Sequence, residues 1–118
     1  MRANKEFWLV LDELIVRNEP VIDRSKGGAH PRYPQMVYPL DYGYLSGTRA
    51  QDGGGIDLFC GGGPKRDLVG LLVTVDLLKQ DSEIKLLLGC SREEMARAQA
   101  FLSDSAYMQA LLIERDPA

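Results

Sequence analysis

Between Ser25 and Gly63 no stretch of this chain can run as a helix for more than about a turn, because breakers punctuate it throughout. Gly27, Gly28, Pro31, Pro34, Pro39, Gly43 and Gly47 are followed by Gly53 to Gly55 and Gly61 to Gly63. Disorder produces similar counts, but disordered segments are poor in aromatics. Here Tyr33, Tyr38, Tyr42, Tyr44 and Phe59 sit among the breakers. The pattern predicts an ordered, irregular segment with short strands around 36–38, 42–45 and 56–60.

The flanks are more regular. Phe7, Leu11, Leu14 and Ile15 recur at helical spacing, Trp8 widens the stripe, and an amphipathic helix over 4–16 follows. Asn18-Glu19-Pro20 ends it, since a residue before proline is pushed out of the helical region. Val21-Ile22 reads as a short strand. Leu68 to Leu77 is apolar on both faces and is the clearest strand; Lys79 to Ser82 reads as a turn and Glu83 to Gly89 as the returning strand. Ser91-Arg-Glu-Glu94 is a capping box opening a second helix, with Met95, Ala98 and Leu102 as its buried stripe. Met108 to Glu114 is short and apolar, and periodicity leaves it open between strand and helix. The sum is a mainly β chain with two helices and five or six short strands, and no internal repeat.

At 118 residues the expectation is one domain over 1–118. The net charge of −3 argues against general nucleic-acid binding, which requires a basic face. No apolar run approaches the roughly 20 residues that span a bilayer. The first residues lack the apolar core of a signal peptide, so a cytoplasmic location is expected. Cys60 and Cys90 are too few for a disulfide scaffold, and without C-x-x-C and with His30 alone they do not make a zinc site. Two buried free thiols are expected instead.

Three sets of residues carry the chemistry. Asp41, Asp52 and Asp57 lie on glycine-rich turns beside Tyr38, Tyr42 and Tyr44, and carboxylates on turns are how hard divalent cations are held. Asp52-Gly53 is equally a hairpin-turn pair. Asp76, Asp81, Glu83 and Lys85 gather at one hairpin, with Glu83 and Lys85 on one strand face; they suit a metal and its phosphate, or a solvated tip. Arg24, Lys26, His30 and Arg32 form a basic loop able to grip phosphate through charge-assisted bonds, or simply a surface loop. Together they fit metal-assisted handling of a phosphoanhydride. No P-loop is present, and Gly61-Gly-Gly-Pro-Lys65 is interrupted by proline.

Tyr38-Pro-Leu-Asp-Tyr-Gly-Tyr-Leu, Gly47-Thr48 and Asp52-Gly-Gly-Gly-Ile-Asp57 closely resemble the soluble (family I) inorganic pyrophosphatases, whose pattern reads approximately Y-P-x-N-Y-G-[YF]-I and then D-G-D-P-x-D. The resemblance runs from about Val21 to Lys85. It implies a small five-stranded, OB-like β-barrel with flanking helices, and Mg²⁺-dependent hydrolysis of pyrophosphate or a related phosphoanhydride to phosphate, with Mn²⁺ as a substitute metal. By the same resemblance Asp52, Asp57, Asp76 and Glu83 are the metal ligands, and Tyr42 and Lys85 contact phosphate. Arg32 is the phosphate-binding arginine, with Arg24 as the other choice, and Asp57, Tyr42 and Lys85 form the catalytic set.

The departures are specific. Gly54 stands where the family has the aspartate that orients the attacking water, and Gly55 stands at its proline. An early glutamate ligand has no match, the nearest positions being Glu19 and Val21. Tyr107 is followed by Met108 rather than by lysine. Asp41 replaces the family's asparagine beside Tyr42 and would offer a substitute carboxylate there. Losing one positioned base costs about 10²–10⁴ in rate. Two readings follow: a weak diphosphatase-type hydrolase, or a non-catalytic relative that binds phosphate, nucleotide or protein. Exposed aromatics such as Trp8 favour a homo-oligomer.

Overall fold

The computed structural model describes residues 4–116. Its elements are α1 (Lys5–Arg17), β1 (Pro20–Arg24), β2 (Asp41–Leu45), β3 (Asp57–Cys60), β4 (Leu68–Asp76), β5 (Asp81–Leu88), α2 (Arg92–Leu102) and β6 (Met108–Glu114). The six strands form one sheet in the order β1-β2-β3-β5-β4-β6. All neighbours are antiparallel except β3 and β5, which run parallel because β5 returns from the β4 hairpin into the gap beside β3.

The sheet has an apolar layer on each side. Beneath α1, Trp8 and Leu11 pack with Leu45, Leu58, Leu71, Leu86 and Leu88. Beneath α2, Met95, Ala98 and Leu102 pack with Leu40, Phe59, Leu72 and Leu87. Consecutive strand residues point to opposite faces, so Leu86 and Leu88 serve one layer while Leu87 serves the other. Both thiols, Cys60 and Cys90, are free and buried, and burial pushes the Cys90 thiol up to about 12.

Both helices start where the side chains provide caps. Asn4 accepts the Phe7 amide at 2.9 Å. The Ser91–Glu94 capping box is complete, and Glu94 also accepts the Gly62 amide at 2.9 Å, tying the loop after β3 to α2. The segment left open in sequence, 108–114, is a strand: it pairs along β4 from Gly70↔Glu114 to Asp76↔Met108. Its outer edge is partly covered by α2 and the residue after it, since Gln99 donates to the Ala110 carbonyl and Ser103 Oγ accepts the Ala110 amide.

Several expectations are corrected. The sheet has six strands and is not closed into a barrel, because edge strands β1 and β6 do not pair with each other. The strand expected at 36–38 is reduced to an isolated Ala29↔Val37 bridge. Trp8 is not an exposed aromatic; it is only 4% exposed, with the Arg115 guanidinium over its ring, whereas Phe7 is 42% exposed. Arg115 is held in place by a two-point pairing with Asp12 at 2.6 and 2.8 Å. Among the described residues no helix is long and apolar enough to cross a membrane.

Candidate functional site

The face of the sheet that α2 covers continues beyond the helix as an open, polar surface. On β5 the alternation places Glu83, Lys85 and Leu87 on one face, and Leu87 is already in the α2 layer. On β3, Asp57 shares the face of Phe59. The parallel register sets Leu58 beside Leu86, so Asp57 and Lys85 come level on adjacent strands. Tyr42 on β2 pairs with Phe59 on one side and Arg24 on the other. Gly43 between these strands cannot be replaced freely: a Cβ there would lie 2.7 Å from the Val21 carbonyl carbon and 2.9 Å from Ile22 Cα.

The result is a cleft of about 250 Å³ whose lining is almost entirely polar. At its floor Lys85 is 6% exposed. Its Nζ donates to Tyr42 Oη at 3.0 Å, Asp57 Oδ2 at 2.9 Å and Glu83 Oε2 at 3.1 Å. An ammonium has three N–H donors, so all are taken. Burial works against the charge on Lys85, but Tyr42 and Asp57 outweigh it and hold the ammonium above its ordinary range. Burial raises the Tyr42 phenol, with the Lys85 charge opposing and Asp57 adding to the rise. At neutral pH the pair is therefore a charged lysine and a neutral phenol.

The opposite wall comes from β1 and the loop after it. Arg24 Nη1 donates to the buried Tyr38 phenol, and its guanidinium sits 5.3 Å over the Tyr38 ring and 5.9 Å over that of Tyr42. His30 stacks on Tyr38 with centroids 6.2 Å apart and planes 10° from parallel. His30 Nδ1 accepts the Arg32 and Tyr33 amides at 3.0 and 3.3 Å, so the proton of the neutral ring is on Nε2. Burial, and then Arg24, Arg32 and Lys79, lower its pKa. The loop is positioned by backbone bonds from Gly27 to Tyr38 and between Gly28 and Tyr38.

Of the residues singled out in sequence, Arg24, His30, Tyr38, Tyr42, Asp52, Asp57, Glu83 and Lys85 line this one cleft. Asp52 is exposed and also shapes its own turn, with Oδ1 accepting the Gly54 amide at 2.9 Å and Gly53 at φ +89°. With Glu83 it also lines an adjoining cavity of about 400 Å³. Other expected positions lie elsewhere, Asp81 among them, on the adjoining cavity. Asp76 Oδ1 accepts the Leu78 and Lys79 amides at 2.9 and 3.1 Å and organises the hairpin tip. Arg32 is exposed and does not line the cleft; Arg24 does. Asp41 faces away from Tyr42, and its Oδ1 accepts the Lys26 amide at 2.8 Å.

Sequence reasoning missed Asp23 and Lys79, both of which line the cleft. Alternation from Val21-Ile22 does not place Asp23 beside Arg24 on a cleft. The register shift between Ile22 and Arg24 inserts it as an extra residue that the pairing skips. Asp23 thus provides a carboxylate on the early strand where none was expected. Lys79 was set aside as a turn residue.

Among the described residues no three His, Cys, Asp or Glu side chains converge tightly enough to hold a metal ion unaided. Asp57 and Glu83 share the Lys85 ammonium. Two carboxylates fit Mg²⁺, which keeps much of its water and is usually held by one or two carboxylates plus substrate phosphates.

No protein-family model and no curated protein sequence matches this chain. Solved structures do. An inorganic pyrophosphatase from Coxiella burnetii superposes with a TM-score of 0.57 at 15% identity, covering 80% of this chain and 84% of its own. One from Helicobacter pylori gives 0.56 at 16%, covering 80% and 81%. An inorganic phosphatase from Anaplasma phagocytophilum gives 0.57 at 16%, covering 82% of each chain. These likenesses show a distantly shared, pyrophosphatase-like fold.

Proposed function

We propose that this cleft binds pyrophosphate or a related phosphoanhydride together with Mg²⁺, and that the protein hydrolyses it slowly to phosphate. The observation that carries the reading is the buried Lys85 ammonium, bonded at once to Tyr42, Asp57 and Glu83 at the floor of a polar cleft. The pyrophosphatase-like fold supports the substrate class.

Asp57 and Glu83 are the residues that would hold the metal, with Asp52 and Asp23 also lining the cleft. Bound Mg²⁺ supplies neutralisation of the phosphate charge and acidifies water. Lys85, Arg24 and the Tyr42 hydroxyl bind and orient the phosphate oxygens. Asp57 accepts the proton of the attacking water as its oxygen bonds to phosphorus. The bridging P–O bond breaks, and the bridging oxygen leaves with the second phosphate. Because Gly54 brings no carboxylate to the turn, Asp57 must both ligate and accept the proton, which accounts for slow turnover.

A second reading, binding without turnover, is favoured by the absence of a carboxylate at Gly54 and by Asp57 Oδ2 being already bonded to the Lys85 ammonium at 2.9 Å. Phosphate release from pyrophosphate with Mg²⁺ or Mn²⁺, measured for wild type and Asp57→Ala, separates the two. Release that vanishes in the variant supports hydrolysis. Binding of pyrophosphate by calorimetry with no release supports the second reading, and neither binding nor release overturns both.

A further inference from the structure

We infer that Lys79 is a phosphate-binding residue of this cleft, presented from the β4–β5 hairpin tip, and that Asp76 serves it by holding that tip. The inference rests on the phosphoanhydride reading above. Among the described residues, three cationic side chains line the cleft: Arg24, Lys79 and Lys85. Arg24 is bonded to Tyr38 and lies over two aromatic rings. Lys85 has every donor engaged. Among the described residues, the Lys79 side chain has neither a hydrogen bond nor an ion pair, so its ammonium is the cation available to an arriving anion.

The backbone at the tip is built rather than loose. Asp76 accepts the amides of both Leu78 and Lys79, and the Leu77 amide donates to the Tyr107 carbonyl at 2.8 Å. Gln80 closes the tip at φ +56°, a left-handed conformation unusual for a residue with a side chain. These bonds direct Lys79 into the cleft that His30 and Arg24 line, and its charge is felt at His30. A lysine on a tip reaches a terminal phosphate group without displacing the Lys85 network beneath it.

Titration calorimetry with pyrophosphate and MgCl₂ tests this with wild type, Lys79→Ala, Lys79→Arg, Asp76→Ala and the Asp76→Ala/Lys79→Ala double variant. Lys79 is exposed, so its variants fold. The expected loss for Lys79→Ala is about ten- to a hundredfold in Kd, the range of a charge-assisted hydrogen bond, with Lys79→Arg restoring most of it. Asp76→Ala should weaken binding when Lys79 is present and add nothing in the double variant. An equal Kd for wild type and Lys79→Ala overturns the inference and leaves the substrate reading standing. Additional loss in the double variant overturns the role given to Asp76. No binding by wild type overturns the substrate reading and this inference with it. An independent readout is the His30 imidazole followed by NMR: its midpoint should rise in Lys79→Ala, and an unchanged midpoint overturns the placement of the ammonium.

Discussion

Lys85 Nζ and Asp57 Oδ2 lie 2.9 Å apart on parallel neighbouring strands, with Glu83 Oε2 completing the bracket at 3.1 Å. The lysine occupies the point that two carboxylates would otherwise share with a cation. Lys85→Met leaves both carboxylates without their counter-ion, with the Asp57 and Glu83 side chains only 29% and 14% exposed. Removing one partner of a buried pair costs 3–5 kcal/mol, and the residual exposure of Asp57 sets the expected loss at the low end, about 3 kcal/mol. Urea melts measure it. Because a divalent cation can take the vacated point, Mg²⁺ should stabilise the variant more than it stabilises wild type.

Gly54 is the residue that bears most directly on turnover. Its φ lies outside the left-handed region, and an added Cβ would meet only the Asp52 side chain, Oδ1 at 3.4 Å and Cγ at 4.0 Å, ordinary contacts. Gly54→Asp should therefore fold normally, with stability within about 0.5 kcal/mol of wild type. If the absent carboxylate limits the reaction, phosphate release rises in that variant by about 10²-fold or more. An unchanged rate assigns the slow step elsewhere. Gly55 behaves differently, since a Cβ there would lie 2.8 Å from Tyr44 Cδ2 and 3.0 Å from the Leu45 carbonyl. Gly55→Ala should cost about 1–3 kcal/mol by overpacking.

The parts of the site set by local rules were readable in the chain, and the parts set by nonlocal geometry were not. Strand alternation placed Glu83 and Lys85 together, and the Ser91–Glu94 capping box marked α2. Asp23 was hidden because a one-residue bulge reverses the alternation, and a bulge depends on how β1 meets Gly43. Arg32 was preferred to Arg24 because spacing along the chain does not show which way the loop after β1 folds. Trp8 was misjudged because the strand residues that bury it, Leu45, Leu58, Leu71, Leu86 and Leu88, come from distant parts of the chain, and Arg115 from its far end lies over its ring. Whether a sheet closes is decided by its two edge strands, and β1 and β6 lie at opposite edges of this one.

His30 is the only histidine, so its titration can be read without ambiguity. Burial and the nearby Arg24, Arg32 and Lys79 charges lower its pKa, so the NMR midpoint should fall below about 6.5. The sign for stability follows from linkage. A depressed folded-state pKa gives a contribution that is complete above the unfolded value and is lost as pH drops through the folded one. Pyrophosphate has the opposite effect on the ring, because an anion in the cleft favours the imidazolium. A midpoint that rises on adding pyrophosphate locates the ligand beside His30; one that stays fixed removes it from this cleft.

Glu94 makes three of the chain's connections at once, closing the capping box with Ser91 and receiving the Gly62 amide. Those backbone bonds from Ser91 and Gly62 hold its carboxyl below the usual carboxylate range. Its contribution to stability is therefore complete above the unfolded value and disappears as pH falls through the lowered folded one. Ser91→Ala should cost about 1 kcal/mol through the lost cap alone. Glu94→Gln removes the charge and leaves one acceptor oxygen where the carboxylate has two, so one of the two amides loses its partner. The expected outcome in acid melts is a variant less stable than wild type near neutrality, with the difference shrinking as pH drops below about 4. A pH-independent difference would assign the effect to geometry rather than to charge.

Gly43 tests whether the architecture of β1 and the site are one construction. A Cβ at this position would meet the backbone of Val21 and Ile22 at 2.7 and 2.9 Å, atoms that cannot rotate away as a side chain would. Relief requires β1 to separate from β2, and β1 carries both Asp23 and Arg24 into the cleft. Gly43→Ala should accordingly lose about 3 kcal/mol or more, at the upper end of overpacking costs. Hydrogen exchange should show the β1 amides deprotected before those of β4 and β5, which lie at the centre of the pairing. Pyrophosphate affinity should fall further than in Arg24→Ala, because the whole β1 wall is displaced. Equal affinities would show that β1 contributes Arg24 and nothing more.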